Sequence, residues 1–499
     1  MKYESDSPFD WVTLWNSGEL PRLCFISLGI TFHAGAENMI STIMPAIVRD
    51  IGGVELNGWT FAIYEIGSII AGAATGRLTT YWSVRTNMIV AALVFALGAF
   101  TTALSPSMHV ALAGRLLSGF GGGGLIALSY VAIQRYFPAA IWPQLMAILS
   151  MVLGIAAFGG PLYGAIIGTL FSWRWAFGIF GVAAIIFAGA CGYFLRGEAV
   201  HPATDRKLGR FPTFSLTLLA LGITAIAAAG VETRPQFATA LIVAGLVGIT
   251  SFFLVDANNK SSRLFPTALF NPGNTVGSGM IMVAALSVST CSFAYYGPLL
   301  LSALHDFSPL TTGLIIASES IAWAVLSILV ANAPKHREAA IVRTGALMIA
   351  AGIAGFAWVV PSGSIAGIVF FAVLQGGGFG ILWPFATRRV IEAALPDEEE
   401  ITASGFATLQ RIGYAVGGAT AGIIANANGF SAGFTKAAAT TAAAPVFLYF
   451  IPLAIAGCFA AFRLSSIPSA EVGTLDWTAR SRASTARTNR KGVISDREL

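Results

Sequence analysis

Long apolar stretches alternate with short polar connectors along almost the whole chain. A helix needs about 20 mostly apolar residues to cross the ~30 Å hydrocarbon core of a bilayer. Runs of that kind fall at 23–48, 58–77, 86–104, 109–134, 142–170, 174–195, 212–231, 236–256, 273–303, 309–333, 341–360, 364–387, 403–427 and 443–463. The pattern therefore predicts an all-α membrane protein with fourteen transmembrane helices. An even count puts both termini on one side, and the excess of basic residues in cytoplasmic loops orients the chain. With both termini cytoplasmic, inner loops and tails hold 23 of the 29 Lys and Arg residues, and outer connectors hold only Arg49, Arg174, Arg234 and Lys436. Arg115 and Arg411 fall inside spans. Dropping one span would move every later connector to the wrong side.

Composition agrees. Apolar residues make up 56% of the chain and charged residues 11%, against about 45–50% and about 25% in soluble domains. So few charges exclude a large soluble enzyme, a disordered chain and a disulfide scaffold. The 55 glycines suit helices packed closely within a bilayer. Cys24, Cys191, Cys291 and Cys458 all sit in apolar runs, with neither disulfide nor metal-ligand spacing. The first long apolar run begins after Arg22, so no cleavable signal peptide is expected. The net charge of +5 is concentrated in inner loops and a basic tail without interleaved aromatics, which argues against a nucleic-acid partner.

The polar interruptions divide the chain unevenly. Longer inner loops follow spans six (Arg196–Arg210) and eight (Asp256–Arg263). The expected organisation is a cytoplasmic segment at 1–22, a six-helix bundle at 23–196, a linker with spans seven and eight at 197–263, a second bundle at 264–464 and a disordered basic tail at 465–499. Span four (RLLSGFGGGGLIALSYVAIQRYFP from Arg115) resembles span twelve (AVLQGGGFGILWPFATRRVIEAALP from Ala372), each passing from a glycine cluster to Arg and then Pro. Parallel repeats of six spans are a transporter architecture.

Several motifs are better read as packing. Gly119–Gly124 satisfies GxGxxG but lies inside a span, where close helix contact explains it. No phosphate-binding GxxxxGK[ST], HExxH or CxxC occurs, so no cofactor and no metal is expected. The acidic run Asp397–Glu400 reads as a solvated helix start.

Other stretches resemble a known family. ENMISTIMPAIVRDIGG (Glu37–Gly53) is similar to the first-helix signature of the fourteen-span drug:proton antiporters of the major facilitator superfamily. Arg115 with Gly119 resembles that superfamily's fourth-helix arginine motif. The run from Gly154 through Gly159, Gly160, Pro161 and Gly164 resembles its fifth-helix antiporter motif, and SWRWAF follows from Ser172. RIGYAVGG from Arg411 fits the thirteenth span. The resemblance covers about residues 23–463 and implies the major-facilitator-type fold, two six-helix bundles plus two linker helices. Two positions depart from it. In GRLTTYWSVR (Gly76–Arg85), Thr80 stands where the family has Asp and Ser83 where it has Gly. In span one the family's acidic position aligns with Ala36, one residue before Glu37.

Charges inside spans give an independent route to function. A charge at mid-bilayer costs at least ~2.5–3.5 kcal/mol and normally faces an interior or aqueous cavity. Glu37, Glu65, Arg115, Glu319 and Arg411 are such charges, and the resemblance implies that their spans border a central cavity. Glu37, Glu65, Arg115, Glu319 and His33 are the candidates for proton coupling. Glu37 and Arg115 are expected either as a pair whose separation alternates during transport or as a permanent packing pair. His33 is either a relay or a packed core histidine. Tyr64, Tyr295, Tyr296, Trp323 and Arg411 are the candidates for a substrate cavity. Gly76, Arg85, Gly159, Gly160, Pro161 and Gly164 form the conformational motifs.

The expected protein is a monomeric secondary active transporter of the inner membrane, and not an enzyme. It exports small organic or amphipathic compounds in exchange for protons by alternating access. Its expected partners are a small-molecule substrate, protons and the lipid bilayer. Proton-coupled uptake of a solute, aided by Arg115 and Arg411, is an alternative. A membrane-embedded lipid-modifying enzyme is another, but the longest outer loop (425–442) holds only Lys436 as a charged residue.

Overall fold

The computed structural model describes residues 19–137, 142–195, 212–232, 234–259, 263–330, 333–395 and 398–467. The N-terminal segment before residue 19, the Arg196–Arg210 loop and the basic tail beyond 467 lie outside them. Of Gly76 and Thr80 only the helical backbone is described.

Among the described residues the fold is all helical, without strands. The main helices are α1 (Leu20–Ile51), α2 (Asn57–Tyr81), α3 (Val84–Ala103), α4 (Met108–Tyr136), α5 (Trp142–Leu170), α6 (Trp173–Phe194), α7 (Thr213–Ala229), α8 (Pro235–Asn258), α9 (Thr275–His305), α10 (Pro309–Val330), α11 (Glu338–Ser362), α12 (Ile365–Glu392) and α13 (Glu399–Ala427). The last apolar run is interrupted into α14 (Lys436–Ala442), α15 (Pro445–Leu448) and α16 (Ile451–Ser466). The stretch still forms one candidate span, Lys436–Ser466, which starts earlier than the expected 443–463 and is interrupted along its length. Helical structure already begins at Lys436, and Pro445 and Pro452 each open a new segment, where a missing N–H costs nothing.

Local sequence sets the tight turns between helices. Ser83, Ser172, Asn274 and Ser364 each accept a backbone N–H at a helix start. Among the described residues, eleven helical stretches are long and apolar enough to cross a membrane, with the interrupted Lys436–Ser466 counted as one. Their outward faces carry large apolar side chains such as Leu97, Ile186, Ile328 and Phe459, which water would penalise and acyl chains would not.

Helix pairing repeats along the chain. Within the first six helices, α1 packs on α5, α2 on α4, and α3 on both α4 and α6. The same pairs recur eight helices later as α9 on α13, α10 on α12, and α11 on α12 and α16. The repeat reaches individual glycines. Gly119 and Gly123 seat directly against α2 at Tyr64 and Ser68, and Gly376 and Gly380 against α10 at Glu319 and Trp323. The halves meet through two matched seams, α2 on α13 and α5 on α10, with α1 beside α9. The paired helices α7 and α8 lie outside this frame, and α7 packs over both α13 and α2.

Candidate functional site

A cavity of about 220 Å³ lies between the halves. Its wall is built by α1 (Glu37, Asn38), α5 (Leu153, Pro161), α9 (Tyr295), α10 (Glu319, Trp323), α12 (Phe379) and α13 (Arg411, Tyr414), with Phe61 from α2. The surface is aromatic and apolar with few charges.

Arg411 organises one side. Its Nη1 atom lies 2.6 Å from His33 Nε2, 3.4 Å from Glu65 Oε2 and from Ser68 Oγ, and 3.9 Å from Glu37 Oε2. His33 Nε2 is also 3.1 Å from Glu37 Oε2. One guanidinium from the second half thus meets two carboxylates and an imidazole from the first. His33 and Glu65 are buried, whereas Glu37 and Arg411 retain partial exposure towards the cavity. Glu65 Oε1 has no hydrogen-bond partner, so only one of its oxygens is compensated.

Arg115 is not the partner of Glu37. It is buried, donates from Nη1 to the Ala36 carbonyl at 3.1 Å and from Nε to the Thr60 carbonyl at 3.3 Å, and lies 4.1 Å from the Tyr64 ring centroid. Arg115 takes the backbone carbonyl of Ala36, while the side chain of the next residue, Glu37, meets His33 and Arg411. Arg115 therefore braces α1, α2 and the Tyr64 ring from behind, and it does not reach the cavity.

Glu319 stands apart on α10. Its Oε1 accepts from Gln375 Nε2 at 2.8 Å, and the same Nε2 donates to Thr290 Oγ1 at 2.8 Å. Trp323, one turn along, stacks on Phe379 with ring centroids 5.5 Å apart. The carboxylate faces the cavity beside that stack.

Tyr295 lines the cavity, stacked 3.7 Å from Phe61 across the seam. Tyr64 and Tyr296, also expected on the wall, are not on it. The Tyr64 hydroxyl is turned inward onto His33, 3.1 Å from both Nδ1 and the carbonyl oxygen. Tyr296 is buried against Phe430, with centroids 6.1 Å apart. Both lie on faces of their helices that pack against neighbours, and helical periodicity alone does not say which face that is.

The fifth-helix motif divides in two. A Cβ on Gly160 would lie 2.8 Å from the Gly35 carbonyl, and one on Gly164 would lie 2.7 Å from the Met39 carbonyl, so these residues let α1 and α5 touch. Pro161 leaves its carbonyl to Thr42 Oγ1 at 3.0 Å. Gly159 has open space beside it, in a separate apolar cleft of about 450 Å³. Arg85 is exposed in the first turn of α3.

Ser68, Gln375, Thr290, Gln410 and Tyr414 were not singled out by sequence. Gln375 alone had a visible signal, a lone amide beside the glycine cluster of span twelve.

The family sequence model described as Major Facilitator Superfamily matches residues 26–331. The chain belongs to the major facilitator superfamily. It is accordingly a transporter rather than an enzyme, an integral multi-pass protein of the cell (inner) membrane. It is 28% identical over 448 residues to "Probable multidrug-efflux transporter Rv1634" of Mycobacterium tuberculosis, covering 87% of this chain and 92% of that protein. It is 27% identical over 410 residues to "Multidrug efflux pump SdrM" of Staphylococcus aureus, covering 79% and 87%. Among solved structures, the inward-open xylose transporter XylE of E. coli superposes with a TM-score of 0.60 at 15% identity, over 92% of this chain and 98% of that one. A peptide transporter of the POT family gives 0.62 at 16% identity, over 91% and 98%. These structures share the fold.

Proposed function

We propose that this superfamily member exports small organic, drug-like amphipathic compounds in exchange for protons, by alternating access. The observation that carries the reading is the Arg411 cluster, in which ionisable groups of both halves share one buried contact at the edge of a cavity. A charge relationship between halves gives proton binding a direct grip on their relative position. Efflux is the activity in the names of the relatives, and an aromatic wall with the carboxylate of Glu319 suits amphipathic and cationic compounds.

The finer topology belongs to the same proposal. It comprises fourteen membrane-spanning helices, α1–α13 plus the broken last span, with both termini cytoplasmic and the chain acting as a monomer. Residues 23–196 and 264–464 form the two moving bundles, and 197–263 carries the linker helices. Glu37, Glu65 and His33 serve proton coupling, and Tyr295, Trp323 and Glu319 face the substrate. Arg115 supports the cluster from behind. Because Arg115 does not reach the cavity and Arg411 is engaged by acids, the paired-arginine site for a carboxylate, which favoured solute uptake, is not formed.

The test is transport of ethidium in proteoliposomes under an imposed pH gradient. Wild type is expected to move the dye against its own gradient, and Glu37→Gln and Glu65→Gln to lose about tenfold or more of that uphill movement, the scale set by removing one ion-paired carboxylate. Full gradient-driven transport by Glu37→Gln, Glu65→Gln and Glu319→Gln alike would overturn the reading.

A further inference from the structure

We infer that a single lone pair, on His33 Nε2, binds either a proton or the second half of the molecule, and that this mutual exclusion couples protonation to opening of the halves. The inference rests on the proposed proton coupling and deepens it.

Donor and acceptor capacity fixes the state of the ring. A guanidinium N–H can only donate. Arg411 Nη1 stands 2.6 Å from His33 Nε2, so this nitrogen must offer its lone pair there. A proton on Nε2 would set two N–H groups face to face at that distance. The ring proton therefore sits on Nδ1, where the Tyr64 hydroxyl oxygen accepts it at 3.1 Å, while the hydroxyl donates its own hydrogen to the His33 carbonyl oxygen at 3.1 Å. Every polar atom of the His33–Tyr64 pair is then satisfied. The room for the pair comes from Gly122, where a Cβ would lie 2.8 Å from the Tyr64 oxygen and 3.1 Å from His33 Nδ1.

The same Nε2 atom has a second partner. Glu37 Oε2 is 3.1 Å away and can only accept while ionised. When a proton adds to Nε2, one N–H bond forms and the imidazolium donates to Glu37 one turn along its own helix. Arg411 then faces a cation at contact distance and is displaced. The charged and titratable groups around the ring are Glu37 on α1, Tyr64 and Glu65 on α2, Arg115 on α4 and Arg411 on α13. Only Arg411 comes from the other half. Proton arrival thus exchanges an inter-half bond for an intra-helix one, and it leaves Glu65 without its guanidinium partner. His33 acts here as a positioning residue between the proton and the α2–α13 seam.

The test reads the ring directly. The full chain, labelled with ¹⁵N-histidine and held in lipid nanodiscs, carries five histidines, and His33→Gln identifies the His33 signals by their loss. At alkaline pH the wild type is expected to show the neutral tautomer with Nδ1 protonated and Nε2 bare, the less common form in water. In Arg411→Gln the permanent donor is gone, and the ring is expected to pass to the Nε2–H form facing Glu37. A protonated Nε2 in the alkaline wild type, or a tautomer unaffected by Arg411→Gln, overturns the inference. A functional arm accompanies it. His33→Gln is expected to lose about tenfold or more of pH-driven ethidium transport, the scale of a charge-assisted hydrogen bond, while downhill dye flux persists. Unchanged pH-driven transport in His33→Gln also overturns it. Absence of pH-driven transport in the wild type defeats the proton-coupling reading itself and is distinguished from both.

Discussion

At the scale of single residues, the cluster depends on one helix face presenting a histidine to three neighbours at once. Gly122 is the smallest change that tests this. Gly122→Ala pushes a Cβ against the Tyr64 hydroxyl and the His33 ring. It is expected to cost about 1–3 kcal/mol, the range for overpacking a close contact. Thermal unfolding in detergent measures the loss, and an unchanged midpoint would show that the pair tolerates displacement. The charged members of this cluster were legible in the sequence because a charge inside an apolar run is costly and therefore conspicuous. Their partners were not. Glu37 and Arg115 lie at compatible depths, yet Arg115 takes the backbone carbonyl of Ala36 and the side chain of Glu37 meets Arg411. Arg411 comes from a helix more than three hundred residues away, and no local pattern reports which of its faces meets α2. Ser68, neutral and short of any motif, leaves almost no trace in sequence, whereas Gln375 stands out as a lone amide beside a glycine cluster.

Helices behave more simply, because glycine contact leaves a readable signature. The fifth-helix run contains two adjacent glycines with opposite environments, and they separate backbone contact from open space. Gly160→Ala is expected to destabilise by about 1–3 kcal/mol, since its Cβ meets the Gly35 carbonyl and backbone does not yield easily. Gly159→Ala projects into the lateral cleft and is expected to be neutral or to stabilise by up to about 1 kcal/mol through helix propensity. Paired thermal unfolding curves decide it, and equal losses would contradict the α1–α5 contact. The apolar pattern placed the helices well, because a bilayer-crossing helix needs a long apolar run, and it did so even for the two that carry polar residues at the seam. α2 and α13 are absent from the strongly apolar set because they carry the polar residues of the seam, including Glu65 and Arg411. The last run is interrupted just before Pro445 and Pro452, each of which begins a new helical segment.

For the whole molecule, the repeated pairing makes the halves interchangeable in architecture but not in chemistry. Tyr64 and Glu319 occupy matching positions against matching glycines, so the first half invests that site in an inter-half cluster and the second in a cavity carboxylate. The α5–α10 seam offers a mechanical test. A Cβ on Gly313 would fall 2.6 Å from that of Ala165, so α5 and α10 must part by about 1 Å to reach the ~3.8 Å Cβ spacing of a disulfide. With Cys24, Cys191, Cys291 and Cys458 replaced, Ala165→Cys with Gly313→Cys is expected to cross-link on oxidation and to stop transport, with recovery on reduction. Transport that continues through the cross-link would mean that this seam does not open. The duplication itself was visible in the glycine clusters, since only glycine permits backbone contact at both seats.

The proposed exchange of substrate and protons through the buried cluster predicts proton release when dye binds. Its most direct measurement is the count of protons released when ethidium is added to purified protein in unbuffered detergent solution. Release by wild type, abolished in the Glu37→Gln and Glu65→Gln double variant that still binds dye, is the predicted result. Equal release by that double variant, or binding with no release by wild type, would contradict it.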